Sequence, residues 1–269
     1  MRVVVLTDST KLNANYILTH LPENSGINVV GIIETKPSKW SFFKKNVIRM
    51  IVVSGIIMSI KILAFFVAVK SIGFLKRIFS KKREILDVDE IAKKYKIPLY
   101  KVENINSESS IRIIKKLKPD LIISNHFDQV LKRKVLDIPM KGSINFHPGV
   151  LPKYRGIFPN VWSMVNKEKV SGFTIHFITE AIDKGKVLAL GTFKIRKNDT
   201  ATDLWMKSAK KGLPALNKVL RSIKKGKFKE IKIKNPKGTY YSFPTKEAVH
   251  KFNKYGRKFF SFRKIFNYF

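Results

Sequence analysis

Asn145 and His147 are the residues of this chain whose types and spacing are best suited to chemistry. They stand two apart in the run SINFH, which reads as a strand, so their side chains leave the same face. An amide and an imidazole side by side at a strand end can hold a carbonyl and shuttle a proton, because imidazole titrates near neutrality. A turn containing Pro148, Gly149 and Pro152 follows at once, and a second apolar run leads to Asp183 and Gly185. Taken alone, an Asn and a His in a strand also read as ordinary hydrogen-bonded polar groups. Asp183 also reads as a plain turn residue ahead of Gly185.

These groups need a scaffold that brings a strand end and a later loop together. Residues 2–6 are a β-branched run followed by Thr7, Asp8, Ser9 and Thr10, which predicts a strand entering a helix capped by Asp8 or Ser9. Residues 13–21 predict a helix and 27–33 a second strand, and this β-α-β opening predicts a parallel sheet with a right-handed crossover. No glycine-rich phosphate fingerprint follows the first strand, which disfavours a dinucleotide. After an interruption, 87–95 predicts a polar helix, 97–102 a strand, 107–117 a helix, 120–124 a buried strand and 142–147 the next strand. Residues 172–178 and 187–195 read as further strands, and 200–223 as a long helix capped by Thr200 or Thr202. Beyond it the composition shifts to Lys, Asn and Gly, then suggests one strand and a helix starting near Thr245.

Composition removes several chemistries. The chain of 269 residues, 44% of them apolar, can bury a substantial core. Without cysteine there is no disulfide, thiolate zinc site or cysteine nucleophile. His20, His126, His147, His176 and His250 are scattered and show no metal-ligand spacing, so no metal is expected. The opening MRVVVLTDS is too short an apolar run for a signal peptide and lacks a small-residue cleavage site.

With these elements in place, residues 143–185 resemble the signature of the folate-dependent formyltransferases. That pattern is a strand ending in Asn-x-His, a loop close to P-x-x-L-P-x-Y-R-G, and a later Asp-x-Gly. Here it is met by Asn145, His147, the loop HPGVLPKYRG, and Asp183 with Gly185. The resemblance is strongest over residues 119–224 and looser back to residue 1. It implies an α/β, Rossmann-like formyltransferase fold: a mostly parallel sheet with helices on both faces, a helical apolar insert and a short C-terminal extension. The domains implied are a catalytic domain at 1–224, with the insert at about 37–84, and a basic aromatic extension at 225–269.

The resemblance also implies the reaction, a metal-free transfer of a formyl group from 10-formyltetrahydrofolate to a primary amine. Attack by the amine builds an oxyanion that Asn145 and His147 would stabilise, and losing one such donor commonly costs about 3 kcal/mol of barrier. His147 would move the proton, and Asp183 would orient the imidazole, balance its charge or relay protons through water. Asn125, His126 and Phe127 would contact the folate, largely through backbone, although His126 equally reads as an exposed loop residue. Tyr154, Arg155 and Asn160 would face the acceptor. Arg155 either binds an anionic group or pins its loop, and Trp162 reads as core. Among the branches of the family, RGIFPNVWSM followed by SGFTIHFI looks closest to the sugar N-formyltransferases. The expected acceptor is therefore an amino sugar or a lipid-linked sugar precursor. The alternatives are an enzyme like the methionyl-tRNA formyltransferases and a non-catalytic basic adaptor binding membrane or RNA.

The net charge of +35 draws a chain to nucleic acid, anionic membrane or anionic substrates, unless it reflects compositional drift toward Lys. Within residues 50–69 only Lys61 is charged. Such a run is long enough to cross a bilayer, and a central Lys costs about 3 kcal/mol there. A span inside a catalytic α/β domain would put the next strand on the wrong side, so a helical hairpin or an interfacial helix is expected, with bends at Gly55 and Gly73. Lys44, Lys45, Lys76, Arg77, Lys81, Lys82 and Arg83 would sit at anionic headgroups. The tail repeats the theme, interleaving Phe259, Phe260, Phe262, Phe266, Tyr268 and Phe269 with Arg257, Lys258, Arg263 and Lys264. Base stacking by these aromatics ranks below lipid contact, and packing of the insert on the domain or on a second subunit, as in a homodimer, is the plainer alternative. The expectation is a cytoplasmic enzyme held peripherally at a membrane.

Overall fold

The β-branched runs and the capped amphipathic runs form alternating strands and helices. The computed structural model describes residues 1–8, 12–24, 26–35, 49–79, 84–233 and 237–269. In chain order it has β1 (Arg2–Thr7), α1 (Leu12–Asn24), β2 (Asn28–Thr35), the short α2 (Arg49–Ser54) and the long α3 (Ile56–Phe79). Next come α4 (Val88–Lys94), β3 (Leu99–Val102), α5 (Glu108–Leu117), β4 (Leu121–Asn125), α6 (Arg133–Leu136) and β5 (Ser143–His147). The chain continues through β6 (Arg155–Gly156), α7 (Pro159–Val165), β7 (Val170–Phe177), β8 (Val187–Lys194) and α8 (Ala201–Lys224). It ends with β9 (Tyr240–Tyr241), α9 (Lys246–Lys254) and α10 (Phe262–Phe266).

The main sheet has the order β3-β2-β1-β4-β5-β7-β8. The pairings from β3 through β5 are parallel, whereas β7 runs antiparallel to both β5 and β8. Strands in such a sheet are buried on both faces, and successive side chains alternate between them. Val3, Val5, Leu121, Ile123, Ile144 and Phe146 enter one core with α1, α4 and α8. Val4, Leu6 and Ile122 enter a second core with α5 and α6. The mostly parallel sheet with helices on both faces is thus the architecture expected. Helix starts follow local chemistry: Asp87 with Glu90, and Thr200 with Asp203, each form a reciprocal capping box.

Among the described residues of the insert, 49–79, a short helix leads into a long one, and they do not form a hairpin with two equal arms. The break falls at Gly55, where φ is +81°. Gly73 makes no bend. It lies inside α3 against the ring of Phe269, 3.3 Å from where a Cβ would stand. One face of α3, formed by Met58, Ile62, Phe65 and Ala68, packs against Val161 and Met164 of α7, Leu204 of α8, Phe252 of α9, Phe259 and Ile265. Phe65 meets Phe259 edge-on at 5.7 Å between centroids. By length and composition Ile56–Lys76 is long and apolar enough to cross a membrane. Ser9, Lys44, Lys45, Lys81, Lys82 and Arg83, assigned roles from the sequence, lie outside the described residues.

Residues beyond α8 pack into that same cluster and return to the sheet side. Tyr240 and Tyr241 pair with Arg155 and Gly156 as a two-stranded parallel ladder. Asp203, in the first turn of α8, accepts from Lys264 Nζ at 2.6 Å and from the Tyr268 hydroxyl. The extension is therefore tied to the start of α8.

Phe65→Ala tests the docking of α3. Truncating a buried phenylalanine costs about 3–5 kcal/mol, and chemical denaturation should show a loss of that size. A loss below about 1 kcal/mol, the range of surface substitutions, would mean that α3 is not part of the cooperative core.

Candidate active site

β5 places its polar residues by simple alternation. Phe146 turns into the core, stacked on Phe173 at 5.9 Å, so Asn145 and His147 leave the other face. The antiparallel register sets His176 opposite Asn145 and Thr174 opposite His147. Asn145 Nδ2 lies 3.2 Å from His176 Nε2 and 3.4 Å from Asp183 Oδ1. The Thr174 hydroxyl donates to the Gly149 carbonyl at 2.7 Å and accepts from the Leu151 N–H at 3.1 Å. One side chain of β7 thereby holds both ends of the turn after His147.

The loop then closes over the imidazole. His147 Nε2 lies 2.9 Å from the Tyr154 carbonyl oxygen. A carbonyl only accepts, so the proton sits on Nε2 and the lone pair on Nδ1. Nδ1 faces Asp183 Oδ2 at 3.7 Å. His176 follows the same logic: Nδ1 donates to the Phe177 carbonyl at 2.8 Å, and Nε2 lies 3.4 Å from Asp183 Oδ1.

Asp183 is the meeting point. Its Oδ2 accepts the Gly156 N–H at 2.8 Å, and its backbone is left-handed with φ +51°. Two glycines make this approach possible. A Cβ on Gly185 would stand 1.7 Å from the Phe177 carbonyl oxygen, and one on Gly156 2.1 Å from that of Tyr241. Only glycine lets the turn after Asp183 close against the end of β7 and lets the loop press against β9.

Burial pushes the His147 imidazole below its ordinary value, against the opposing pull of the Asp183 charge. Burial alone would raise the Asp183 carboxyl, but the His147 and His176 imidazoles and the Gly156 N–H outweigh it and hold the group well below the usual carboxylate range. The resting pair is a neutral imidazole beside a carboxylate. Such a pair can accept a proton at Nδ1 and stabilise the imidazolium that results.

The remaining site candidates fall into two groups. Tyr154 and Arg155 lie beside the centre, but the Tyr154 side chain is turned away from it. Its hydroxyl donates to Glu168 at 2.8 Å, and its ring stacks on Tyr241 at 5.4 Å. Tyr154 reaches His147 through its backbone carbonyl alone. Arg155 is half-buried in β6, its N–H bonded to the Thr239 carbonyl and its Nε buried without a hydrogen-bond partner. Asn160, expected on the acceptor side, is fully buried. With its amide nitrogen turned toward acceptors, it donates to the Pro148 carbonyl at 3.1 Å and to Ser171 Oγ at 2.8 Å. It braces the turn after His147 from behind. Trp162 is half-buried, with its indole N–H on the Ser242 carbonyl.

At the carboxyl end of β4, Asn125 is fully buried and donates to the Ala14 carbonyl at 2.9 Å. His126 has φ +56° and bonds Asn13, and Phe127 packs into the second core. These contacts serve the fold. Asn125 Oδ1 and Thr7 Oγ1, on register partners of β4 and β1, are buried and have no hydrogen-bond partner. A folate, with several N–H donors on its ring, fits acceptors at the carboxyl ends of parallel strands. Two surface recesses, of about 280 and 510 Å³, are not lined by Asn145, His147 or Asp183. Among the described residues no three His, Asp or Glu side chains gather in a way that could hold a metal ion.

The sequence reading missed His176, Thr174 and the Gly156 N–H. The signal for the first two was partial: Thr174 and His176, two apart in a strand, share one face with each other, and only the register with β5 makes it the face of Asn145 and His147.

Comparison with known proteins places the chain in a family. The formyl transferase family model matches residues 1–220, and the chain belongs to that family. A bifunctional polymyxin resistance protein, ArnA, of Wigglesworthia glossinidia brevipalpis is 39% identical over 148 residues, 55% of this chain and 23% of that protein. A methionyl-tRNA formyltransferase of Methylacidiphilum infernorum is 35% identical over 162 residues, 60% of this chain and 51% of the relative. The chain thus spans about half or less of these curated relatives. In fold it is similar to a sugar N-formyltransferase from Shewanella sp FDAARGOS_354, with a TM-score of 0.56 at 20% identity over 90% of this chain and 76% of that one.

Three outcomes follow from the geometry. Gly185→Ala should displace Asp183 and lower kcat/KM for formyl transfer by about 100-fold or more, with circular dichroism unchanged; wild-type kinetics would show that the Asp183 turn is not critical. A base must be neutral to accept a proton and burial favours neutral His147, so with His147 as the base the acid limb of kcat/KM should lie below the ordinary histidine value of 6.5. The unfolded chain would return His147 to that ordinary value and take up a proton the native state refuses, so stability should decline as pH falls below 6.5. The Asp183 contribution is present above 3.8 and is lost as pH falls toward its depressed native value. An acid limb above 6.5 that Asp183→Asn leaves unmoved would contradict the assignment.

Proposed function

We propose that this protein transfers a formyl group from 10-formyltetrahydrofolate to a primary amine carried by a sugar, free or lipid-linked. The observation that carries the reading is the buried constellation in which the Asp183 carboxylate, held by the Gly156 N–H, faces neutral His147, with the Asn145 amide beside it. The donor supplies an activated formyl group on a nitrogen that leaves once protonated.

The acceptor nitrogen forms a bond to the formyl carbon, and the carbonyl electron pair moves to oxygen. Asn145 Nδ2 donates to that oxygen. The His147 Nε2–H is held by the Tyr154 carbonyl, so the oxyanion duty falls chiefly on Asn145 and the proton duty on His147 Nδ1. Nδ1 takes the proton released by the amine, and Asp183 stabilises the imidazolium. The proton then passes to the departing nitrogen as the old carbon–nitrogen bond breaks, which returns the imidazole to its neutral state.

Support for a sugar amine comes from the 155–164 and 171–178 segments, which resemble the sugar N-formyltransferases, and from the sugar N-formyltransferase among the similar folds. Identity to a methionyl-tRNA formyltransferase and a net charge of +35 favour methionyl-tRNA as the second candidate. A catalytic domain over 1–224 with a basic extension over 225–269 remains the proposed division.

The test offers the protein labelled 10-formyltetrahydrofolate with nucleotide-linked amino sugars, methionyl-tRNA or amino lipids, and follows N-formyl product by mass spectrometry. An amino sugar should be formylated. His147→Ala should lower the rate about 100- to 10,000-fold and Asn145→Ala about 100- to 1000-fold. Full activity in His147→Ala, or formylation of methionyl-tRNA alone, would overturn the corresponding half of the reading. A non-catalytic scaffold would leave the donor intact with every acceptor.

A further inference from the structure

We propose that the outer face of α3, joined by α10, is a docking surface for an anionic lipid bilayer on which the protein lies without spanning it. The proposal goes beyond formyl transfer and does not depend on it. Ile56, Ile60, Leu63, Val67, Phe74 and Ile78 recur at helical spacing along one side of α3, each 56–63% exposed. A helix of 24 residues is about 36 Å long. Val52 at the α2 end and Phe262 and Phe266 of α10 add to the exposed apolar surface. A strip of this extent exceeds what monomeric proteins leave bare without a partner.

The packed side of the same helix decides how lipid can meet it. From Met58 to Ile72, α3 is seated on the aromatic cluster of Trp205, Phe259 and Phe260. Lipid therefore cannot surround it, as it must surround a crossing helix. A helix fixed along one side and apolar along the other fits the interface plane.

Charge selects the occupant. Residues 49–79 and 248–269 contain no Asp or Glu. Lys70 flanks the strip, Lys76 sits over the Phe266 ring at 3.9 Å, and Arg263 is exposed beside Phe262. A second copy docked by a two-fold axis would set these cations against their own counterparts. An anionic bilayer offers apolar depth and negative headgroups together.

The experiment is flotation of the full chain with vesicles of mixed phosphatidylglycerol and phosphatidylcholine, and with phosphatidylcholine alone. Wild type should float with the mixed vesicles and less with the neutral ones. Ile60→Ser, Leu63→Ser, Val67→Ser and Phe74→Ser combined should cut the bound fraction about tenfold or more, with circular dichroism and transfer to a soluble amine unchanged. Wild type left at the bottom of the gradient, or a variant that floats as wild type does, overturns the proposal. So does a wild-type dimer that the variant converts to monomer, since that assigns the face to a second copy.

Discussion

The hydrogen bond from the Gly156 N–H to Asp183 is the contact on which the rest of the site depends. It joins the loop after β5 to the turn after β7. A nearly buried carboxylate is costly unless it is paired and hydrogen-bonded. Here its partners are the N–H of Gly156, the imidazoles of His147 and His176, and the amide of Asn145. Each of these comes from the β5 end, the following loop or β7. The charge therefore makes it unfavourable for these segments to separate, and the proposed reaction uses the same charge to stabilise an imidazolium.

The sheet supplies the precision this requires. β5 is the strand at which the parallel sheet turns antiparallel, so its outer neighbour runs back toward it and presents His176 and Thr174 in register. The C-terminal extension supplies the second support. Tyr241 pairs with Gly156 and stacks between Tyr154 and Trp162, which fixes the loop whose carbonyl sets the His147 tautomer. On the far side, Phe65 of α3 reaches Trp205, and Trp205 reaches Phe158, two residues past Gly156. Insert, extension and the loop after β5 thus share one aromatic cluster.

Much of this was legible in the sequence wherever the signal was local. Asn145 and His147 declare their common face by spacing, and Asp183 with Gly185 declares a tight turn whose glycine is forced by contact with Phe177. His176 was not legible, because its role depends on a pairing register between positions 31 apart in sequence. β6 and β9 have two residues each, too few for any periodicity. Asn160 looked like a ligand group because a polar residue in a loop-proximal helix carries no mark of burial. The break at Gly55 goes with its left-handed backbone, whereas Gly73 stays helical and packs on Phe269, a contact distant in sequence that no local pattern announces. A helix apolar on all sides cannot say which side is packed, so the docking of α3 appeared only in the fold.

The central claim is that Asp183 and His147 act as one proton-handling unit. A double-mutant cycle of Asp183→Asn and His147→Ala, read as single-turnover formyl transfer, tests it most directly. Residues that act as a unit are strongly non-additive, so the double variant should be no slower than His147→Ala alone. Losses that multiply would show two independent contributions and contradict the account.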